Sequence, residues 1–196
     1  MAIFSRSVIC FSLLTLFIPC IARASSLPAA DQAVNAFALS SGPSVALAWH
    51  PGPRWQTGLT VATPFYYFAS FGTLRYGVYS LYQFLELDGF YMAGVAGLYG
   101  DFLPAQPQNY SPVGLQMGVA MAYRLHRDWS LRLNLVPGVA WVLPAAGSTQ
   151  EAQSTIGWIV FPPAGGIELA WQMNPYFEMS LGYNGNGDIL GASWEF

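Results

Sequence analysis

From Trp129 to Leu135 the chain reads Trp-Ser-Leu-Arg-Leu-Asn-Leu. In an extended strand this puts Trp129, Leu131, Leu133 and Leu135 on one side and Ser130, Arg132 and Asn134 on the other. Val139 and Trp141 continue the apolar side. The rise between the two tryptophans matches the roughly 25 Å apolar band that aromatic girdles flank in a membrane barrel. Leu115, Met117, Val119, Met121 and Tyr123 alternate in the same way with Gln116, Gly118, Ala120, Ala122 and Arg124. So do Trp55, Leu59, Val61 and Phe65 with Gln56, Gly58, Thr60 and Ala62, and Phe177, Met179, Leu181 and Tyr183 with Glu178, Ser180 and Gly182.

Turn chemistry separates these strands. Ala48 to Trp55, Ala122 to Trp129 and Ala170 to Phe177 each close a strand with an aromatic residue, turn tightly, and open the next strand with another aromatic. Glu86-Leu-Asp-Gly89 forms a fourth short turn and Asn184-Gly-Asn-Gly187 a turn at the other end, while Phe102 to Pro112 and Leu143 to Thr155 make long links. The pattern predicts eight strands near 54–65, 74–85, 89–101, 113–125, 129–142, 157–172, 176–183 and 188–196. Residues 34–50 stay open to three readings: a segment ahead of the barrel, a hairpin (Asn35 to Leu39, then Ser44 to Trp49) that raises the count to ten, or a first strand over 36–50 followed by a long outer loop. In the last case eight strands remain.

Composition decides what such strands enclose. Only 9% of the 196 residues are charged against 54% hydrophobic, with no lysine, whereas a water-soluble domain carries roughly a quarter charged residues. No segment after residue 24 runs the about 20 apolar residues that a spanning helix needs. A β-barrel needs only alternate apolar positions, because its backbone groups are satisfied between strands. The expected fold is therefore all-β, a closed antiparallel transmembrane barrel, most simply of eight strands with ten as the alternative; a secreted β-sandwich would carry more charge on its wet faces.

The first residues read as an export signal: Arg6 as basic head, an apolar run from Ser7 to Pro19, and Ala22-Arg-Ala24 as a cleavage site. Residues 1–24 then form a cleaved leader and 25–196 the barrel. Both cysteines fall inside the leader, which excludes disulfides and thiolate chemistry from the barrel. The last strand carries Gly191, Trp194 and Phe196, a pattern resembling the signal read by the outer-membrane barrel assembly machinery, and the expected location is the outer membrane of a Gram-negative bacterium. Nucleic acid is excluded as a partner, since the few arginines cannot form a basic stripe.

Inside the barrel, Arg54, Gln56, Arg124, Arg132, Glu168, Gln172, Glu178 and Glu195 are expected in the periplasmic half as a mixed-charge plug. Above it the inward residues are small: Gly118, Ala120, Val136, Gly138, Ala140 and Gly182 among them, with Pro162 beside them. They either leave a slot for a hydrocarbon chain or let a small barrel twist tightly shut. Pro64, Pro137, Pro144, Pro162 and Pro163 lie in or beside the outer halves of strands. Each removes a ladder donor there, which either weakens a seam or simply ends a strand.

The stretch from Phe161-Pro162 to Phe196, including Tyr183-Asn-Gly-Asn186, resembles the lipid A palmitoyltransferase family of the outer membrane. Leu131 to Val139 and Leu98-Tyr-Gly-Asp101 add further likeness. Under half of the barrel region is covered. The resemblance implies an eight-stranded barrel with an acyl slot, transferring palmitate from a phospholipid to lipid A through a histidine and an Asp-Ser pair. Trp49-His50 is similar to the histidine motif and Asp101 to the aspartate, but Phe102 stands where the serine belongs. His50 reaches the outer side only if 36–50 is the first strand; the repeated turn pattern puts it on the periplasmic side. No metal spacing, phosphate loop or nucleophile elbow occurs, so no metal or soluble cofactor is expected. Two functions follow as expectations: a monomeric lipid-handling barrel, with His50 and Asp101 catalytic and phospholipid and lipid A as partners, or a non-catalytic barrel serving membrane integrity or surface interaction.

Overall fold

The computed structural model of the chain describes residues 27–31, 35–63, 74–103, 110–143, 155–159 and 162–196. The expected leader and cleavage site, Pro64, Pro144 and the middles of the long links fall outside them. The described strands are β1 (Ala36–Ser40), β2 (Ser44–Gly52), β3 (Trp55–Ala62), β4 (Leu74–Leu87), β5 (Phe90–Leu103), β6 (Tyr110–His126), β7 (Trp129–Leu135), β8 (Gly138–Leu143), β9 (Thr155–Ile159), β10 (Gly166–Asn174), β11 (Phe177–Asn184) and β12 (Leu190–Glu195). All pairings are antiparallel.

β6 pairs with β7 and then with β8, so these two are one wall strand interrupted at Val136-Pro137. β9 and β10 pair with β8 and β7 and form a second interrupted wall strand. Counted this way the sheet closes on itself as a ten-strand barrel, with β12 joined to β1. The expectation of eight strands is thus corrected to ten, and the segment responsible is the hairpin of β1 and β2. Five cross-strand pairs, Ala36↔Glu195 to Ser40↔Gly191, make the closing seam. Without that hairpin β12 would expose an unpaired edge.

Alternation works as the sequence implies. On β7 exposure switches residue by residue, with Trp129, Leu131, Leu133 and Leu135 outward and Ser130, Arg132 and Asn134 buried. Outward positions elsewhere include Val45, Leu47, Val78, Leu98, Leu115, Met117, Ile167 and Leu181, all exposed and none charged. One end of the barrel is made of tight turns, where Asp88 and Gly89 both take positive φ (46° and 81°), the backbone that an Asp-Gly hairpin turn needs. Just inside this end lies a belt of rings: Trp129 stacks on Trp171 at 5.4 Å, Trp55 meets Tyr82 at 4.8 Å, and Phe177 meets Trp194 at 5.4 Å. The two strand interruptions and the long links lie toward the other, loop end.

Candidate functional site

The barrel interior has two unlike walls. From β4, β5 and β6 come Tyr79, Leu81, Tyr91, Ala93, Val95, Ala120 and Ala122, which form an apolar core. From β7, β10 and β11 come Arg132, Glu168 and Glu178, all buried. Register brings the charges together: Arg132 lies directly across from Glu168, and Glu178 follows on the next strand.

The fourth member of the cluster comes from outside the walls. Asp31 sits on a segment, Leu27 to Asp31, that runs inside the barrel, with Leu27 through Ala30 buried. Arg132 directs Nε to Asp31 Oδ1 at 2.8 Å and its Nη1 and Nη2 groups to Glu168 (3.1 Å) and to both oxygens of Glu178 (2.8 and 2.7 Å). A longer contact from Nη2 to the second Asp31 oxygen, 3.5 Å, completes its donor set. The planar guanidinium suits this fork-like sharing, which a lysine ammonium cannot reproduce.

Burial by itself works to raise the Asp31 carboxyl, but the charge and hydrogen bonds of Arg132, with a hydrogen bond from Ser130, outweigh it and hold the group below the ordinary carboxylate range. A polar cleft of about 340 Å³, lined by Asp31, Arg124, Asp128, Arg132, Gln172 and Glu195 among others, leads from the cluster to the turn end. Glu195 accepts a hydrogen bond there from Gln172. The expected mixed-charge plug is present in this form, except that Arg54 and Arg124 lie exposed rather than inside it. Arg124 instead places its guanidinium over the Tyr91 ring at 5.3 Å.

Two side chains hold the inner segment by its backbone. Asn134 donates Nδ2 to Pro28 O at 2.8 Å, and Gln56 Oε1 accepts the Ala29 N–H at 3.3 Å. The same Asn134 amide reaches Ala164 O at 3.2 Å, and Ala164 N bonds Gln116 Oε1 at 3.3 Å. Ala164 belongs to a second inward element, Pro162 to Gly165, which leaves the wall between β9 and β10 and is buried throughout. It crosses far enough that a Cβ at Gly77 on β4 would lie 3.0 Å from Pro163.

The small inward residues sit against these fillers. A Cβ at Gly138 would come within 2.6 Å of Pro162 and 2.8 Å of the Tyr99 hydroxyl. One at Gly58 would run into the Tyr79 ring, and one at Gly114 into the Tyr99 ring at 2.6 Å. At Gly118 and Gly182 the obstruction is neighbouring backbone, Leu135 O and Ile167 O. Ala120, Ala140 and Val136 are buried, with Ala120 and Val136 in the apolar core beside Ala164. Around the expected lipid-slot residues, then, the described interior holds tyrosine rings, Pro162 and the Leu27–Asp31 segment.

The two expected catalytic residues are not brought together. Asp101 pairs with Arg75 across the β4–β5 ladder at 3.0 Å. That register line continues through Ala62 to Ser44, and His50 lies farther down β2 toward the turn end. Counting residues along β2, the separation is about 20 Å along the strands alone. The His50 backbone N–H is held by Asn35 Oδ1 at 2.9 Å. Among the described residues no group of three or more His, Cys, Asp or Glu is arranged to hold a metal.

At the loop end a clasp joins the two hairpins that flank the closing seam. Asp188, buried, accepts from Gly42 N (3.1 Å), Ser44 Oγ (3.0 Å) and Asn184 Nδ2 (2.7 Å), and Ser41 Oγ accepts the backbone N–H of Ile189 and Leu190. Gly191 and Trp194 lie on β12, Phe196 just beyond it, and Trp194 packs with Phe37 across the seam. Sequence reading missed Asp31, Tyr79 and Tyr99. No pattern in the sequence signals Asp31, which lies on a short segment without period. No family model matches the chain, and a search of curated proteins finds no match.

Proposed function

We propose that the chain is an exported outer-membrane barrel with a filled interior, acting as a closed, non-catalytic element of the envelope through its outer surface and long links. The carrying observation is what occupies the interior: the Leu27–Asp31 segment latched to Arg132, the inward Pro162–Gly165 turn, and the Tyr79 and Tyr99 rings. A pore needs a continuous wet path and an interior acyl site needs an apolar slot. Both spaces are taken by the chain's own side chains. The uncharged outward faces and the belt of stacked rings at the turn end support placement in a bilayer. The β12 strand with Gly191, Trp194 and Phe196 supports delivery by the barrel assembly machinery.

Planar-bilayer recording on the purified barrel, together with fractionation of cell envelopes, tests this reading. Outer-membrane recovery without single-channel conductance is expected; a steady conductance overturns the closed barrel.

A second reading, lipid handling, is favoured by one break in the wall. β7 stays paired to β10 as far as Asn134↔Gly166, and β8 is paired to β9 from Gly138↔Ile159. Between them the described Pro162–Gly165 turns inward, and among the described residues Leu135 to Pro137 have no ladder partner on that side. Such a notch faces the bilayer and offers a phospholipid or lipid A chain a place to dock. Mass spectrometry of lipid A from expressing cells decides it: an added acyl mass that disappears in His50→Ala establishes the acyltransferase, and unchanged lipid A alongside abundant folded barrel removes it.

A further inference from the structure

The walls fill the interior unevenly. β4 and β5 send in Tyr79, Leu81, Tyr91 and Tyr99, whereas the inward positions of β1, β2, β11 and β12 are mostly alanine and serine: Ala36, Ala38, Ser44, Ala46, Ser180 and Ser193. Methyl and hydroxymethyl groups cannot reach across a ten-strand barrel. The Pro162–Gly165 turn crosses toward β4 at Gly77 and leaves this small-residue side to another filler. That filler is the Leu27–Asp31 segment, whose Leu27, 7% exposed, borders Ala38, Ala46, Gln56 and Tyr79.

Spaces line up along the segment. The turn-end cleft reaches Arg132 and Glu178; a small cavity shares those two residues and ends at Leu27; a second begins at Leu27 and reaches Asn184 and Asp188 by the loop-end clasp. An extended chain occupies a cross-section at least about 5 Å wide, so its departure joins the three by a path wider than the roughly 2.8 Å of a water molecule. Acids prevail along it. Inside, Glu168, Glu178 and Asp188 outnumber Arg132, and at the mouth Asp128 and Glu195 offset Arg124 and Arg127. A lumen of that sign favours cations.

From this we propose that the Leu27–Asp31 segment is the plug of a narrow cation-conducting lumen, so that the barrel passes small hydrated cations when the segment is out and none when it is seated. The plug belongs to no strand. Arg132 holds it at Asp31, Asn134 at Pro28 and Gln56 at Ala29, and these latches release without breaking a ladder bond of the wall. The inference rests on the reading of the chain as a closed membrane barrel, which describes the seated state.

The test uses the full 196-residue chain refolded in detergent micelles, with Cys10→Ser, Cys20→Ser and Ala30→Cys so that position 30, buried in the plug, carries the single thiol. Asp31→Arg sets a second guanidinium against Arg132 and expels the plug. Asp31→Arg with Ala29→Trp adds an indole where Ala29, 3% exposed, leaves no room. Heat-modifiable migration reports barrel closure, thiol labelling reports the plug, and planar-bilayer recording in a potassium chloride gradient reports conduction and its sign.

The parent chain is expected to be protected and silent. In the variants, labelling is expected to rise at least about tenfold, with single-channel conductance that reverses on the potassium side. Fast labelling of a folded barrel that stays silent, or that prefers chloride, overturns the proposal. So does protection of position 30 in both folded variants, or a barrel that closes in neither, since the segment would then be part of the wall's foundation. A conducting parent chain with position 30 protected sinks the closed-barrel reading as well, whereas silence of parent and variants alike removes this inference alone.

Discussion

Arg132 and Asp31 lie 101 residues apart in the chain and 2.8 Å apart in space, joined between a wall strand and a segment that belongs to no strand. Their contact fixes the plug to the same guanidinium that neutralises Glu168 and Glu178. Removing Arg132 leaves three buried carboxylates facing one another. Arg132→Ala is expected to destabilise the barrel by about 3–5 kcal/mol, the range for a buried pair stripped of one partner. Arg132→Lys should recover only part of this, because a single ammonium cannot satisfy three carboxylates in a plane. Urea unfolding followed by heat-modifiable gel migration measures both.

Acid should loosen the plug through Asp31. Its carboxyl is held below the ordinary value in the folded state, against the pull of burial, by Arg132 and Ser130, with Glu178 and Glu195 nearby. A depressed folded value means that its contribution is fully present above the unfolded carboxylate range, near about pH 4. It is lost as pH falls through the lower folded value. The stability difference between the natural chain and Asp31→Asn is thus expected to be flat above about pH 5 and to shrink below about pH 4. A difference that instead grows on acidification contradicts the assignment.

Asn134 bridges plug and inward turn with one amide. Asn134→Ala strands the Pro28 and Ala164 carbonyls and is expected to cost about 1–3 kcal/mol. In an Ala30→Cys background, where the native alanine is buried, it should also raise thiol labelling at position 30 without changing the β-sheet circular dichroism.

The glycines beside tyrosine rings make a paired prediction. Gly58→Ala drives a methyl group into the Tyr79 ring and should destabilise by about 1–3 kcal/mol, as overpacking does. In a Tyr79→Leu background the same methyl should cost much less, and a double-mutant cycle on thermal unfolding reads the coupling. Additive effects would show that the ring does not fill the hollow.

Asp101 and His50 separate by stability as well. Asp101→Ala leaves Arg75, 8% exposed, without its carboxylate and is expected to cost about 1–3 kcal/mol. His50→Ala, at a half-buried position near a turn, should stay within about 0.5 kcal/mol.

The walls of this barrel were legible because apolar residues outward and polar or small ones inward leave a period-two trace, and β7 shows it without a break. Tight turns were legible from Asp-Gly and aromatic pairs. The count stayed open between eight and ten, because β1 reads Ala-Phe-Ala-Leu-Ser: Ala36 and Ala38 face inward and only Ser40 adds a polar position, so the apolar-polar pattern is faint. The plug was harder still. Leu27 to Asp31 has no period, and two of its three latches hold backbone groups, which every residue type possesses. The fillers Tyr79 and Tyr99 escaped for a related reason: tyrosine suits a girdle as well as an interior, and only register shows which glycine it faces.

The joint between β1 and β12 unites nearly the earliest and the latest strands to leave the ribosome. Until both exist, the growing sheet has two sticky margins and nothing of its own to cap them. Long-range pairings of this kind form slowly. The unfinished polypeptide must therefore be kept from its neighbours during that wait, a demand built into the order of its strands.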